Sequence, residues 1–331
     1  MSGSSIRHPA VPAGAPAGPG PAVTPAGPEA GAAGPLAIVS GGLAAGSVVR
    51  PRRRREFLVY AVRNKKLLFG VSLELLFVLG AIFFPVISPH GTAEYFLPHQ
   101  PPSVAHWLGT DYFGHDVFAQ LAIGLRASYL VGALGAVSAA LVGMALGFTA
   151  GYRGGWLDEI LQMLTNIMVM IPSLVLLIVI GAYLRTRGAV FEGVFIGLTT
   201  WPWVARAVRA QTFSLRSRDF VDLARLSGKR PASIVIREIA PNMASYLFLV
   251  VVLLFGSSML LAASYDFLGL GPTDSISLGT MMNQAMLWSA LQLHMWWWFV
   301  TPGVALTGMV AALLIANVGL DEVFNPKLRQ Q

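Results

Sequence analysis

The chain has 331 residues, of which 55% are hydrophobic and 12% are charged, and it contains no cysteine. A soluble domain carries about 25% charged residues, so this composition favours a membrane protein. The missing thiols exclude thiolate catalysis, cysteine-ligated zinc and disulfide bonds. The net charge of +7 does not predict nucleic-acid binding, because the basic residues flank long apolar runs instead of clustering on one soluble surface.

Residues 1–55 form a tail rich in proline, glycine and alanine that ends in a basic cluster. Such a tail buries too little apolar surface to offset the entropy of ordering, so it is predicted to be disordered and cytosolic. A secretory signal is not predicted, because the first long apolar run starts only near Leu67 and is too long for a signal core.

A membrane-spanning helix needs about 20 mainly apolar residues, and each stretch inside lipid must be helical because its backbone groups cannot be left unpaired. Six stretches qualify, at 67–87, 129–150, 160–184, 189–204, 244–264 and 296–318. The predicted fold is an all-α, polytopic membrane protein with about six transmembrane helices.

The Lys and Arg residues predict the orientation, since basic loops stay on the cytoplasmic side. With the N-terminus inside, 20 of the 23 basic residues are cytoplasmic, and only Arg126, Arg185 and Arg187 lie outside. We therefore expect a multi-pass protein of the inner membrane with both termini in the cytosol. After the tail, residues 56–128 are predicted to form a first helix with an external segment. Residues 129–318 form a transmembrane core that includes a cytosolic loop at 205–243, and residues 319–331 form a C-terminal tail.

Small residues recur every fourth position in the second predicted span, at Gly143, Gly147 and Gly151. Glycines at this spacing let a second helix approach closely within a membrane. The pattern predicts helix packing and carries no information on substrate.

Motifs of familiar enzymes are missing from the sequence. The single Gly-Lys pair, Gly228 and Lys229, is followed by Arg230 and lacks the earlier glycine of a phosphate-binding loop. No G-x-S-x-G, H-E-x-x-H or dinucleotide-binding pattern is present. We predict that this chain is not an enzyme and has no catalytic residue, and that it does not hydrolyse ATP by itself.

Placing an ionisable residue inside a span costs free energy, so such residues are candidates for a function. Glu74 lies about two turns past Lys66, and Glu192 lies near the outer end of a short span, so both are predicted to reach an interface and Glu192 to be hydrated. His90, His99 and His106 fall in the external segment, but their spacing fits no metal-ligand pattern and no metal site is predicted.

The cytosolic loop contains a short predicted helix at 219–228. Phe220, Leu223 and Ala224 recur at helical spacing, carboxylates lie early, and Gly228 ends the run. Pro231 opens a second short helical stretch. An amphipathic helix that two spans hold away from the membrane can fit a groove in a partner protein and transmit motion to the spans. The alternative interpretation is a helix that lies on the membrane surface.

This loop resembles the signature loop of bacterial ABC importer permeases. Asp222-Leu223-Ala224 stands for the Glu-Ala-Ala triplet of that family, followed at the family spacing by Gly228 and Pro241. Flanking segments resemble the dipeptide, oligopeptide and nickel permease branch, and these segments are 108–111, 114–116, 151–158, 172–173, 241–242 and 302–303. The resemblance covers about residues 57–329.

The resemblance implies a type I ABC importer permease that translocates short peptides, with no cofactor in this chain. Its implied partners are a second homologous permease, two ATPase subunits that bind ATP and magnesium, an external binding protein and membrane lipid. The residues implied to couple to the ATPase are Asp219, Phe220, Asp222, Leu223, Ala224, Gly228, Pro241 and Asn242, and no substrate-binding residue is assigned. Nickel or another small solute is the alternative cargo. A self-contained channel or proton-coupled carrier is the alternative mechanism.

Overall fold

The computed structural model describes residues 60–183 and 188–324. Within these ranges the regular structure is helical, which confirms the predicted all-α class. An isolated β-bridge joins Thr110 to Asp116 in the segment between the first two long helices. The predicted N-terminal tail and the end of the C-terminal tail, residues 325–331, lie outside the described residues.

Eleven α-helices and two π-helical turns make up the described core. The helices are α1 (Lys65–Ile87), α2 (Val117–Arg153), α3 (Gly155–Met170), α4 (Ser173–Tyr183), α5 (Ala189–Leu215), α6 (Asp219–Leu226), α7 (Pro231–Ile234), α8 (Ala240–Asn242), α9 (Ala244–Tyr265), α10 (Leu278–Leu287) and α11 (Trp296–Phe324). The π-helical turns are Val235–Ile239 and Asp266–Leu270.

Four helices of the described part are long and apolar enough to cross a membrane, namely α1, α2, α9 with its π-helical turn, and α11. A fifth span results if α3 and α4 count as one, although they meet at a bend of 80°. The bend follows from Pro172, which lacks a backbone donor and disfavours the helical conformation of the preceding residue. The stretch predicted at 160–184 as one span therefore consists of two helices that meet at this bend.

The remaining predicted span falls on α5, which runs for 27 residues and is therefore about 40 Å long. It is long enough to cross a membrane, but it is not among the helices that are also apolar enough to do so. It also continues to Leu215, well beyond the predicted end at 204, so the loop that follows it is shorter than predicted. A sixth span stays a prediction.

The most extensive contact between two helices is that of α2 with α5. A Cβ atom at Gly143 would lie 2.5 Å from Val204 Cβ, and one at Gly147 would lie 2.7 Å from the carbonyl oxygen of Ala205. One at Gly151 would lie 2.7 Å from Thr212 Cβ. The glycine stripe therefore brings the two backbones together as the sequence predicts, and it fixes the position of the loop that α5 carries.

Candidate partner-docking loop and transport cavity

The loop after α5 presents α6 as a short helix with defined ends. Asp219 and Asp222 lie in its first turn, where carboxylates interact favourably with the positive end of the helix dipole. At the other end Gly228 has φ of 73°, and the amides of Gly228 and Lys229 bond to the carbonyls of Arg225 and Ala224. This pair of hydrogen bonds is a Schellman motif, which requires a left-handed residue at the position of Gly228.

One face of α6 is attached to the body of the protein. Val221 is 0% exposed and Ala224 is 5% exposed, and both belong to an apolar cluster with Val208, Ile234 and Ile239. Phe220 is half-buried and packs against the same cluster. The inward face is thus formed by Val221 and Ala224, whereas Leu223, which recurs with Ala224 at helical spacing, lies on the other side.

The opposite face of α6 is open to solvent. Leu223 is 64% exposed and Leu226 is 86% exposed, and the neighbouring Asp219 and Asp222 are exposed as well. Sequence reasoning missed Leu226, although its spacing of three residues from Leu223 is a helical signal. An eight-residue helix that exposes two leucines beside two carboxylates is suited to a groove with an apolar floor and a basic rim.

A basic residue lies at the edge of this surface. Arg225 donates a hydrogen bond to the Asp222 carboxylate at 2.8 Å, and its guanidinium lies 5.6 Å from the ring centroid of Tyr152. Interaction with the Tyr152 hydroxyl, and secondarily with the Asp222 carboxylate, raises the pKa of Arg225 above its ordinary value. The Asp222 carboxylate therefore has an intramolecular partner that a docking protein would have to replace or share.

The loop returns to the membrane through α7, the π-helical turn and α8. Lys229 and Glu238 form an ion pair at 2.5 Å across this return. The Asn242 side-chain amide donates to the carbonyl oxygen of Glu238 at 2.6 Å, and Pro241 and Asn242 are exposed. These two residues lie on α8, where the loop returns to the membrane, and not on α6. The predicted coupling residues therefore occupy two separate parts of the loop.

The bases of the helices that carry the loop are held together by charged contacts. The Arg209 guanidinium on α5 binds both carboxylate oxygens of Asp158 on α3, at 2.5 and 2.6 Å. Arg216, which directly follows α5, donates to the carbonyl oxygen of Gly151 at the end of α2 at 3.4 Å. Movement of α6 is therefore linked to α2, α3 and α5.

The two carboxylates predicted inside spans differ in their surroundings. Glu74 accepts a hydrogen bond from the Tyr129 hydroxyl at 2.9 Å. Glu192 is only 8% exposed and lies beside the buried Asp266, which accepts a hydrogen bond from Ser277. The predicted hydration of Glu192 is wrong, because α4 and the π-helical turn after α9 cover it.

A cavity of about 630 Å³ opens beside the bend between α3 and α4. Its walls come from that bend and from α5, α9 and α11, and they are mainly apolar. Thr199, Thr200, Ser173 and Ser257 supply hydroxyl groups among the lining residues. The cavity is large enough for a small organic solute. Its walls are weakly polar, and none of the described lining residues is charged.

Residues 143–330, more than half of the chain, match the family described as the binding-protein-dependent transport system inner membrane component. The chain belongs to this family. The resemblance to the permease family is thereby confirmed, and the loop with α6 lies inside the matched region. The protein is the permease subunit of an ABC transport system located in the inner membrane, and such a system includes an ATPase and a binding protein.

Several relatives match this permease over most of their length. It is 31% identical over 282 residues to the dipeptide transport system permease protein DppC of Alkalihalophilus pseudofirmus, covering 83% of this chain and 90% of the relative. It is 30% identical to the oligopeptide transport system permease protein OppC of Bacillus subtilis, covering 81% and 87%. It is 32% identical to a putative peptide transport system permease of Brucella abortus, covering 82% and 90%.

Proposed function

We propose that this permease translocates short peptides, either dipeptides or longer oligopeptides, into the cytosol. The observation that carries this proposal is the similarity, over more than four fifths of the chain, to permeases named for dipeptide and oligopeptide transport. The cavity supports it, because a volume of about 630 Å³ accommodates a short peptide. Its uncharged lining suits a solute whose side chains vary, since no fixed charge selects one of them.

The working assembly contains more than this chain. A second homologous permease pairs with it, two ATPase subunits bind ATP and magnesium, and an external binding protein delivers the peptide. The open wall of the cavity supports pairing, because a second permease would close it on the remaining side. Both termini lie in the cytosol in this arrangement, which the distribution of Lys and Arg residues supports.

The outward face of α6 is the docking surface for the ATPase. Leu223 and Leu226 enter an apolar groove of that subunit, and Asp219 and Asp222 meet basic residues at its rim. Ala224 and Val221 hold the helix to the body of the permease from the other side, and Gly228 allows the chain to leave the groove sharply. The support for this assignment is that two exposed leucines on a rigid, short helix have no internal role.

Transport follows from a shift between two states of the assembly. The ATPase dimer changes its separation when ATP binds, and α6 moves with the subunit in which it is seated. Because α6 follows α5 after three residues, and charged contacts join α5 and its end to α3 and α2, this movement changes the relative positions of the helices around the cavity. The permease thus alternates between outward-open and inward-open states, and the free energy comes from ATP bound by the partner.

Affinity purification from native membranes tests the docking surface. We expect wild type to copurify an ABC ATPase and a second permease, and Leu223→Asp with Leu226→Asp to lose the ATPase because each places a charge in an apolar groove. Leu287→Asp is the matched control, since Leu287 is 69% exposed on α10, outside the loop. Retention of the ATPase by the double variant would contradict the docking assignment.

Uptake in a strain deleted for the permease tests the substrate. We expect the strain to lose uptake of labelled dipeptides or short oligopeptides and to recover it with the wild-type permease. Loss of nickel uptake with normal peptide uptake would contradict the peptide assignment and identify the metal as the cargo.

A further inference from the structure

The segment between α1 and α2 brings four potential metal ligands together. Donor atoms of His90, His106 and Asp116 all lie within 4.8 Å of one another. A carboxylate oxygen of Glu94 lies 3.5 Å from His90 Nδ1. These residues come from three separate places in the segment, and the fold of the segment is what gathers them.

The hydrogen bond of His90 to Ala105 occupies one ring nitrogen and leaves the other beside the Glu94 carboxylate. Its Nε2 atom lies 3.0 Å from the carbonyl oxygen of Ala105, and a carbonyl can only accept, so Nε2 carries a proton. In the neutral imidazole Nδ1 then has a lone pair, and it faces the Glu94 carboxylate, which also accepts only. A metal ion between these two acceptors would turn their mutual repulsion into attraction.

His106 and Asp116 are rigidly placed and shielded from water. Both are buried, at 5% and 0% exposed, and His106 Nδ1 lies 2.8 Å from one Asp116 oxygen. The other Asp116 oxygen accepts from the amide of Ala119 and thereby caps α2 at 3.0 Å. A second hydrogen bond of this kind orients a metal-binding carboxylate before the ion arrives.

We propose that His90, Glu94, His106 and Asp116 form a binding site for one zinc ion. Two imidazoles and two carboxylates are a ligand set that zinc accepts, and the ion balances the two negative charges. Bonds of about 2.0–2.2 Å in a tetrahedron place ligand atoms roughly 3.3 Å apart. The 2.8 Å between His106 Nδ1 and Asp116 is a hydrogen-bond distance, so zinc would replace the shared proton and part these two atoms by about 0.5 Å. Rotation of the partly exposed His90 and Glu94 would bring in the other two ligands.

A zinc ion here joins the end of α1 to the beginning of α2. His90 follows Ile87, the last residue of α1, by three positions, and Asp116 directly precedes α2. The ion would therefore restrain the whole segment 88–116 at the membrane face opposite the loop with α6. This site is independent of the identity of the transported solute.

The test uses the full-length permease in its complex, purified through a tag without histidines and stripped with a chelator. After dialysis against micromolar zinc chloride, we expect one zinc per permease by elemental analysis, with binding weakened about 10-fold or more in His90→Ala and in Glu94→Gln. His99→Ala is the matched control, because His99 lies in the same segment but packs edge-on against Tyr112, outside the cluster. It should retain zinc as wild type does.

A second readout is the thermal unfolding midpoint. Zinc should raise it in wild type and in His99→Ala but not in His90→Ala, since an ion that binds only the folded state stabilises that state. Absence of bound zinc in the wild type, or equal zinc retention by His90→Ala and His99→Ala, would overturn the proposal and leave His106 and Asp116 as a hydrogen-bonded pair. Peptide uptake is not part of either readout, so the two proposals fail separately.

Discussion

The close contact of α2 with α5 predicts a large effect from the smallest possible side chain. In Gly147→Ala the new Cβ atom would lie 2.7 Å from the carbonyl oxygen of Ala205 and 2.8 Å from Val208 Cβ. Ordinary contacts begin at 3.4 Å, so the helices must part by about 0.7 Å, and the obstacle is partly backbone that cannot rotate away. Overpacking of this kind costs about 1–3 kcal/mol.

The assay for this effect is thermal unfolding of the purified permease in detergent, together with ATPase copurification. Gly147→Ala should lower the midpoint by several degrees and loosen α6, which follows α5 after three residues. The matched control is Gly256→Ala in α9, where the nearest atoms to a new Cβ lie 3.8 Å away, so no helix has to move. Equal midpoints for Gly147→Ala and wild type would refute the packing argument.

Three further changes probe the loop and its base. Val221→Asp places a carboxylate in a site that is 0% exposed, so it should destabilise the loop by about 3 kcal/mol or more and speed its cleavage in limited proteolysis. Gly228→Ala meets no atom within 4 Å but must keep a φ of 73°, so it should cost about 1–2 kcal/mol, seen as faster amide exchange at the end of α6. Asp158→Asn weakens the two hydrogen bonds to Arg209 and should lower the thermal midpoint by an amount equivalent to about 1–2 kcal/mol. The double variant Asp158→Arg with Arg209→Asp should restore part of the lost midpoint.

Hydropathy predicts the long helices of this protein well because lipid leaves the backbone few alternatives. The stretches predicted at 67–87, 244–264 and 296–318 fall on α1, α9 and α11, and the glycine stripe in α2 identifies a real helix contact. Helix ends are less well predicted. Helix α2 begins at Val117 instead of near residue 129, because Asp116 caps it and polar as well as apolar residues then continue the helix.

The bend at Pro172 and the helix α10 show what hydropathy does not contain. A window of apolar residues has the same average whether it is straight or bent by 80°. Pro172 breaks the helix at this point, and α4 then packs against α5 and α9. Helix α10 is too short and too polar for a span, and its start is fixed locally by the capping box of Ser277 and Thr280.

The motif predicts where the loop with α6 lies, but the orientation of α6 required the fold. The sequence predicts a helix at 219–228 that Gly228 ends, and α6 spans Asp219–Leu226 with Gly228 two residues beyond it. Which side of α6 faces inward depends on Ile234 and Ile239, which come from later in the loop and cover Val221 and Ala224. A pattern within eight residues cannot report such a contact.

The histidine cluster was missed for a related reason. Spacing rules compare His90, His99 and His106, and these three positions match no ligand pattern. The structure instead combines His90 and His106 with Asp116, a residue whose sequence signal is that of a helix cap. The relevant signal is spatial, because two turns of the segment around the Thr110 bridge bring its ends together.

In the proposed mechanism, ATP hydrolysed by a partner drives peptide through this permease by way of α6. The most direct measurement is uptake of a labelled dipeptide into liposomes that contain the complete complex and its binding protein. We predict uptake that requires ATP and that falls to background with Leu226→Asp, while Leu287→Asp transports as wild type does. Uptake by the permease alone without ATP, or full uptake with Leu226→Asp, would contradict the account and favour a self-contained channel or carrier.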